Sequence, residues 1–166
     1  MTYDASKRST GDLLRDWSAV MRELRRRDVI RTNNNPVGDI AEAIVHGHFG
    51  GERGSFAQAG WDVKTDSGER IQVKAVRNTP TTKRKNLSPI RDSEYDSVVV
   101  VIFDEDFLVT DALKLTREVA EDLASWVAHV NGHVLYVNRL LADPRVERID
   151  MTDAYARLNT FEEYDD

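Results

Sequence analysis

The sequence predicts an α/β chain, with a central β-sheet of about four to five strands flanked by helices. Three observations carry this. Ser97–Phe103 reads Ser-Val-Val-Val-Val-Ile-Phe, a continuous β-branched run of the kind found where a strand is buried on both faces. Gly60–Val76 contains two alternating apolar runs either side of Asp66-Ser67-Gly68, the pattern of a hairpin with a polar turn. The stretches Thr10–Arg27 and Thr116–Val130 repeat apolar residues at helical spacing. At 166 residues the chain is expected to form one domain, 1–166, large enough to bury its own core.

The first helix is expected over Thr10–Arg27, with Leu13, Leu14, Trp17, Val20, Met21 and Leu24 as its apolar stripe. Its end is basic (Arg22, Arg25, Arg26, Arg27), which suits the negative end of a helix dipole and needs no nucleic acid to explain it. Residues 10–34 thus make an N-terminal helix and linker. Asn35-Pro36 is a start signal, an Asn cap followed by Pro at the first helical position, for a second helix running to about His48 and ending at Gly50-Gly51. Ile40, Ala41, Ile44 and Val45 form its apolar side, and Asp39, Glu42 and His46 share another.

A glycine-rich connection leads into the hairpin. After Val76 comes a polar loop too long for a tight turn, then the buried strand Ser97–Phe103 and a neighbour over Phe107–Leu115. Thr116 is expected to cap a helix with Glu118, Glu121 and Asp122 in its early turns. Its stripe is Val119, Leu123, Trp126, Val127 and Val130, and its stop is Asn131-Gly132. His133–Val137 reads as a short strand. The remainder, 138–166, reads as a C-terminal helical extension: a turn over Asn138–Ala142, a helix over Thr152–Leu158 capped by Thr152, and an acidic tail.

Composition excludes several classes. There is no cysteine, so disulfides and thiolate zinc sites are ruled out. No signal-peptide core precedes the first helix and no apolar run approaches a membrane span, so a soluble cytoplasmic protein without a membrane partner is expected. A net charge of −6 argues against a protein that coats nucleic acid nonspecifically. The charge is unevenly placed, however. Arg77, Lys83, Arg84, Lys85 and Arg91 occupy a segment with no acid among them. Such a segment either grips a phosphate backbone or is a solubilising loop.

The hairpin is where chemistry concentrates. Alternation sets Asp62 against Trp61 and Val63, and Gln72 and Lys74 against Ile71, Val73 and Ala75, so one face is expected to be core and the other polar. Asp62, Gln72 and Lys74 then converge on a patch able to hold a divalent cation against a phosphate. Taken singly, Gln72 and Lys74 read as the solvent face of a hairpin, and Glu42 as a solvent-facing acid near a helix start.

In order and placement, Glu42 on the helix, Asp62 on the first hairpin strand and Gln72-Val73-Lys74 on the second resemble the PD-(D/E)xK nuclease superfamily, over roughly residues 35–130. The nearest pattern is that of Holliday junction resolvase-like and Mrr-like members with a Q-x-K variant. The resemblance implies a restriction-endonuclease-like core, 35–137, with a central mixed β-sheet. It also implies a Mg²⁺-dependent DNA endonuclease (Mn²⁺ substituting) in restriction, phage defence or repair, leaving 5′-phosphate and 3′-hydroxyl ends. By the same resemblance Asp62, Gln72, Lys74 and Glu42 are catalytic, and Asp62, Gln72, the Val73 carbonyl and Glu42 hold the metal. The basic segment Arg77, Lys83, Arg84, Lys85 and Arg91 meets DNA, and a homodimer or larger complex is the expected assembly. Gln72 departs from the commoner acid: an amide oxygen can coordinate Mg²⁺ but brings no charge. The alternative is a catalytically silent subunit of the same fold that binds DNA or protein. His129 to His133 has His-Asn-His characters, but a helix end capped by Asn131-Gly132 does not suit an HNH unit, and His46-Gly47-His48 reads as a helix terminus rather than a metal pair.

Overall fold

A computed structural model of the chain describes residues 2–55, 59–83 and 85–159. Its centre is a six-stranded mixed sheet in the order β1 (Glu52–Arg53), β2 (Val63–Lys64), β3 (Arg70–Arg77), β4 (Ser97–Phe103), β5 (Val109–Thr116) and β8 (Glu147–Arg148). The hairpin is present: β2 and β3 are antiparallel with Val63 opposite Ile71, closed by a turn in which the Gly68 N–H donates to the Thr65 carbonyl. β3 and β4 run parallel from Ile71 opposite Ser97 to Arg77 opposite Phe103, and β5 returns antiparallel to β4. Parallel neighbours need a crossover, which residues 78–96 supply. Two strands of this sheet were not expected. β1 and β8 are only two residues long, too short to leave a periodic signal.

Every residue of β4 is buried, as its β-branched run implies. Alternation along it divides the core. Val99, Val101 and Phe103 pack with Val63, Ile71 and Val73 against α2 (Val37–Phe49), the end of α1 (Thr10–Arg26) and α5 (Thr152–Leu158). Val98, Val100 and Ile102 pack with Val76, Leu113 and Leu115 against α3 (Arg117–Leu123), α4 (Val137–Ala142) and the crossover residues Leu87 and Ile90. The sheet is therefore covered on both faces, a three-layer arrangement. The hairpin's second face is not the solvent face that alternation alone predicts.

The crossover is less loose than its composition suggests. Leu87 and Ile90 are buried, and main-chain bonds tie Leu87 N to the Leu135 carbonyl and Ile90 N to the His133 carbonyl.

Helix ends differ from expectation in three places. At α2, Pro36 occupies the cap position, and Asn35 serves one residue earlier by accepting from Val37 N at 3.2 Å. At α3, Thr116 does cap, but the helix stops at Leu123; Trp126 and Val127 lie on β6 (Ser125–Val127), paired with β7 (Gly132–Val134) in a separate two-stranded ribbon. The apolar spacing from Val119 onward fits a helix, yet Trp126 is exposed and stands edge-on to His133 at 5.2 Å between ring centroids. At α5, Asp150 rather than Thr152 caps, accepting from Thr152 N at 2.9 Å. No helix among the described residues is long and apolar enough to cross a membrane. The acidic tail 160–166 and Arg84 lie outside the described residues.

Candidate functional site

β2 ends the pairing of one edge of β3. The two-residue β2 covers Arg70 and Ile71, and beyond them no strand among the described residues pairs on that side. The exposed edge from Gln72 to Arg77 forms one wall of a cleft of about 670 Å³. Glu42 and the start of α2 (Val37, Gly38) line it, as do Asp62, Gln72, Val73 and Lys74; Thr79, Thr82 and Ser88 of the crossover line it as well. The four side chains expected from sequence thus meet in one cleft.

Asp62 does two jobs at that edge. Its main-chain N–H donates to the Ile71 carbonyl, and its side-chain Oδ2 accepts from Val73 N at 2.6 Å. It thereby closes the first open position of β3, where the sheet would otherwise leave a donor without a partner. Gln72 Nε2 also donates to Asp62 Oδ2, at 3.2 Å. Because the N–H and C=O of a strand residue face the same side, the Val73 carbonyl also points to the cleft edge.

Glu42 is held from behind. Its Oε2 accepts from Arg31 at 3.0 Å and lies 3.6 Å from the Arg53 guanidinium. Both arginines are fixed by main chain: Arg31 donates to the Gly54 carbonyl at 2.8 Å, and Arg53 to the Asp28 and Asp39 carbonyls at 3.1 and 3.4 Å. Burial, and after it the negative charge of Asp62, raises the Glu42 carboxyl above its ordinary pKa, while Arg31 works in the opposite direction. Neither arginine was expected from sequence, and for Arg53, on a two-residue strand after a glycine pair, no sequence signal points to Glu42. Gly51 makes the approach of that strand feasible, since a Cβ there would run into the Lys64 carbonyl. Asp39, expected beside Glu42, instead faces the linker, accepting from Arg31 N, Thr32 N and the Thr32 hydroxyl. His46 turns to the Gly51 carbonyl.

Lys74 is only 9% exposed, so it is not a solvent-face lysine. Its ammonium donates to the Pro89 carbonyl at 3.3 Å and forms no ion pair within 4 Å among the described residues. Burial pushes its pKa down, Asp62 pulls it up, and Arg91 pushes it down again. A lysine so placed is a desolvated cation beside a carboxylate, the setting in which an ammonium acts strongly on a developing negative charge.

The four cations of the basic segment among the described residues, Arg77, Lys83, Lys85 and Arg91, do not gather at one place. Arg77 lines the cleft, but its guanidinium donates to the Glu105 carbonyl and sits over the Phe107 ring at 4.4 Å. Arg91 donates to the Val130 carbonyl, and its charge reaches Lys74. Lys83 and Lys85 are exposed.

The donor set suits a hard divalent cation. It is all oxygen, and Asp62 Oδ1 and Glu42 Oε1 accept no hydrogen bond from the described residues. Mg²⁺ is commonly held by one or two carboxylates, keeping waters or phosphate for the rest. No cluster of three or more His, Cys, Asp or Glu able to hold a metal occurs among the described residues. Neither a protein-family model nor a curated protein matches the sequence.

Proposed function

We propose that this chain is a Mg²⁺-dependent deoxyribonuclease with a restriction-endonuclease-like core, serving restriction, phage defence or DNA repair. One observation carries the reading: Asp62, in the bend just before β2 rather than on the strand itself, and Gln72 and Lys74 of β3 share a cleft at an open sheet edge with Glu42 from the preceding helix. Asp62, Glu42, the Gln72 amide oxygen and the Val73 carbonyl would hold the cation. Bound there, it would supply Lewis-acid polarisation of a phosphate oxygen and a water acidic enough to lose a proton near neutral pH.

The chain's own residues do the rest. Arg31 and Arg53 keep Glu42 turned toward Asp62 while offsetting part of the repulsion between the two carboxylates. Lys74 sits beside the scissile phosphate, orienting the attacking water or stabilising the added negative charge. The positive end of α2, which lines the cleft at Val37 and Gly38, favours an anion there, and the hydroxyls of Thr79, Thr82 and Ser88 offer donors to the sugar-phosphate chain. Gln72 must turn its amide so that Oε1 replaces Nε2 at Asp62. Cutting both strands of a duplex with one centre per chain calls for two copies.

A second reading is favoured by one detail. Gln72 Nε2 already donates to Asp62 Oδ2, and two guanidinium groups already face Glu42 Oε2, so one oxygen of each carboxylate is engaged without a metal. In that reading the chain is a silent subunit that binds DNA or protein. Incubation with supercoiled, linear and branched DNA in Mg²⁺, Mn²⁺ or EDTA separates the two. The nuclease reading expects metal-dependent nicking or cutting of at least one substrate; binding without cleavage on all three supports the silent subunit.

A further inference from the structure

α1 is only half used by its own fold. Of its apolar stripe, Met21 is buried and Leu24 packs on the core, both in the second half of the helix. Leu14, Trp17 and Val20 are 63%, 53% and 50% exposed, and Tyr3, which donates to Asp16 on the same helix, is 63% exposed. Four of the seven large exposed apolar side chains among the described residues thus lie in this one short stretch. Scattered surface apolar residues need no explanation, but a contiguous stripe on one helix does.

We propose that this stripe is the interface with a second copy of the chain, formed by two α1 helices packed antiparallel across a two-fold axis at Trp17. Three features favour this occupant. First, the spacing is symmetric about Trp17: Leu14 and Val20 lie three residues to either side, so an antiparallel pair sets Leu14 of one copy against Val20 of the other and Trp17 against its equivalent. Such a self-complementary arrangement is what an isologous dimer requires.

Second, the charges select the direction. The end of α1 and its C-cap carry Arg22, Arg25, Arg26 and Arg27 with Glu23 as the acid among them, whereas the first turns carry Asp12 and Asp16 with Arg15 between them, the two acids pairing with Arg15 and Arg8 of the same chain. A parallel pair would stack two basic ends; an antiparallel pair sets each beside the other copy's acids and opposes the helix dipoles. Third, the area is adequate. With side chains of this size, the exposed stripe amounts to about 500 Å² per copy, so pairing buries about 1,000 Å² in all, the lower limit for a specific interface. The surface would supply the two-copy assembly that the nuclease reading calls for, yet it is carried by α1 itself and is measured without DNA or metal.

The test is the mass of the full chain in solution by light scattering after size exclusion, over about 1 to 200 μM. The wild type should approach twice 18.9 kDa as concentration rises. Trp17→Glu, at an exposed position, should keep the wild-type circular dichroism and stay at the monomer mass, with the dimer constant weakened at least a hundredfold. Direction is read by cross-linking, because the chain has no cysteine of its own. On mild oxidation a mixture of Leu14→Cys and Val20→Cys proteins should form a disulfide dimer, and Leu14→Cys alone should not, since its thiols would lie about six residues apart along the pair, beyond disulfide reach. A wild type that is monomeric throughout, or a dimer that Trp17→Glu leaves intact, overturns the proposal. Efficient cross-linking of Leu14→Cys with itself overturns the antiparallel geometry. Sedimentation of monomeric protein with phosphatidylserine-containing vesicles, lost in Trp17→Glu, overturns it in favour of a membrane surface. A wild type that dimerises as described yet cleaves no DNA would count against the nuclease reading alone.

Discussion

Lys74→Met separates a functional lysine from a structural one. Lys74 sits on β3 with 9% of its surface exposed, and its ammonium, which can donate three hydrogen bonds, makes one of 3.3 Å to the Pro89 carbonyl. A buried polar group left short of partners costs about 1 to 3 kcal/mol, and more when charged. Methionine keeps the length and most of the packing of the stem while removing the charge, so the substitution should stabilise the protein by about 1 kcal/mol. With the usual dependence of stability on urea, that moves the unfolding midpoint up by about 0.5 M. A pH series adds an independent sign. Burial lowers the Lys74 pKa below its ordinary 10.5, so at pH values between the two the unfolded chain binds the extra proton. Wild-type stability should therefore rise as pH climbs through that window, the cost being fully present below the folded pKa. In Lys74→Met this contribution to the rise disappears. Cleavage should be lost in the same protein. A variant destabilised by about 1 kcal/mol or more would refute the reasoning, because the ammonium would then be contributing net stability where it sits.

Other perturbations follow from the same geometry. Gln72→Glu puts a second carboxylate against Asp62 Oδ2, which should lower stability by about 1 to 2 kcal/mol in EDTA and raise the melting temperature with millimolar Mg²⁺ more than in the wild type; equal Mg²⁺ responses would remove residue 72 from the ligand set. Arg53→Met strips the Asp28 and Asp39 carbonyls of a donor and leaves Glu42 with Arg31, so a loss of about 3 kcal/mol is expected by urea unfolding, and a loss below about 1 kcal/mol would mean that the cluster is incidental. Asp62→Ala leaves Val73 N and Gln72 Nε2 without their acceptor and should cost about 1 to 3 kcal/mol, whereas Asp62→Asn, which can still accept, should cost less than half of that and still abolish cleavage. Replacing Lys83, Arg84 and Lys85 together with Ala should reduce the slope of log affinity for DNA against log salt by up to about 2.7, at about 0.9 for each phosphate no longer neutralised, with all sequences affected alike. An unchanged slope would leave these three as solubilising residues.

The extent to which this molecule is legible in its sequence depends on the range of the forces involved. The hairpin and β4 are legible because their patterns are local: alternation about a polar turn, and a β-branched run with no polar interruption. The meeting of Glu42, Asp62, Gln72 and Lys74 is also legible, because their order along helix and strands constrains where each can lie. What the sequence does not reveal is set by tertiary packing. Alternation says that Lys74 faces away from Val73, but not that Leu87 and Ile90 return over that face and bury it. The arginines behind Glu42 arrive from a linker and a two-residue strand, neither of which has a period to read. The stretch from Ser125 to Val130 carries helical spacing, yet Ser125–Val127 pairs as a strand with Gly132–Val134, where the Trp126 ring meets His133 in a way that helix propensity does not anticipate.

The central claim, that the cleft at the open edge of β3 hydrolyses phosphodiesters with a divalent cation, is tested most directly by nicking of supercoiled plasmid DNA. Wild type, Lys74→Met and Asp62→Asn, each shown to be folded by circular dichroism, are compared in Mg²⁺, Mn²⁺ and EDTA. The account predicts nicked circles from the wild type with either metal and none with EDTA, and a loss of at least a hundredfold in rate for both variants. Equal nicking by wild type and variants, or nicking that persists in EDTA, would contradict it.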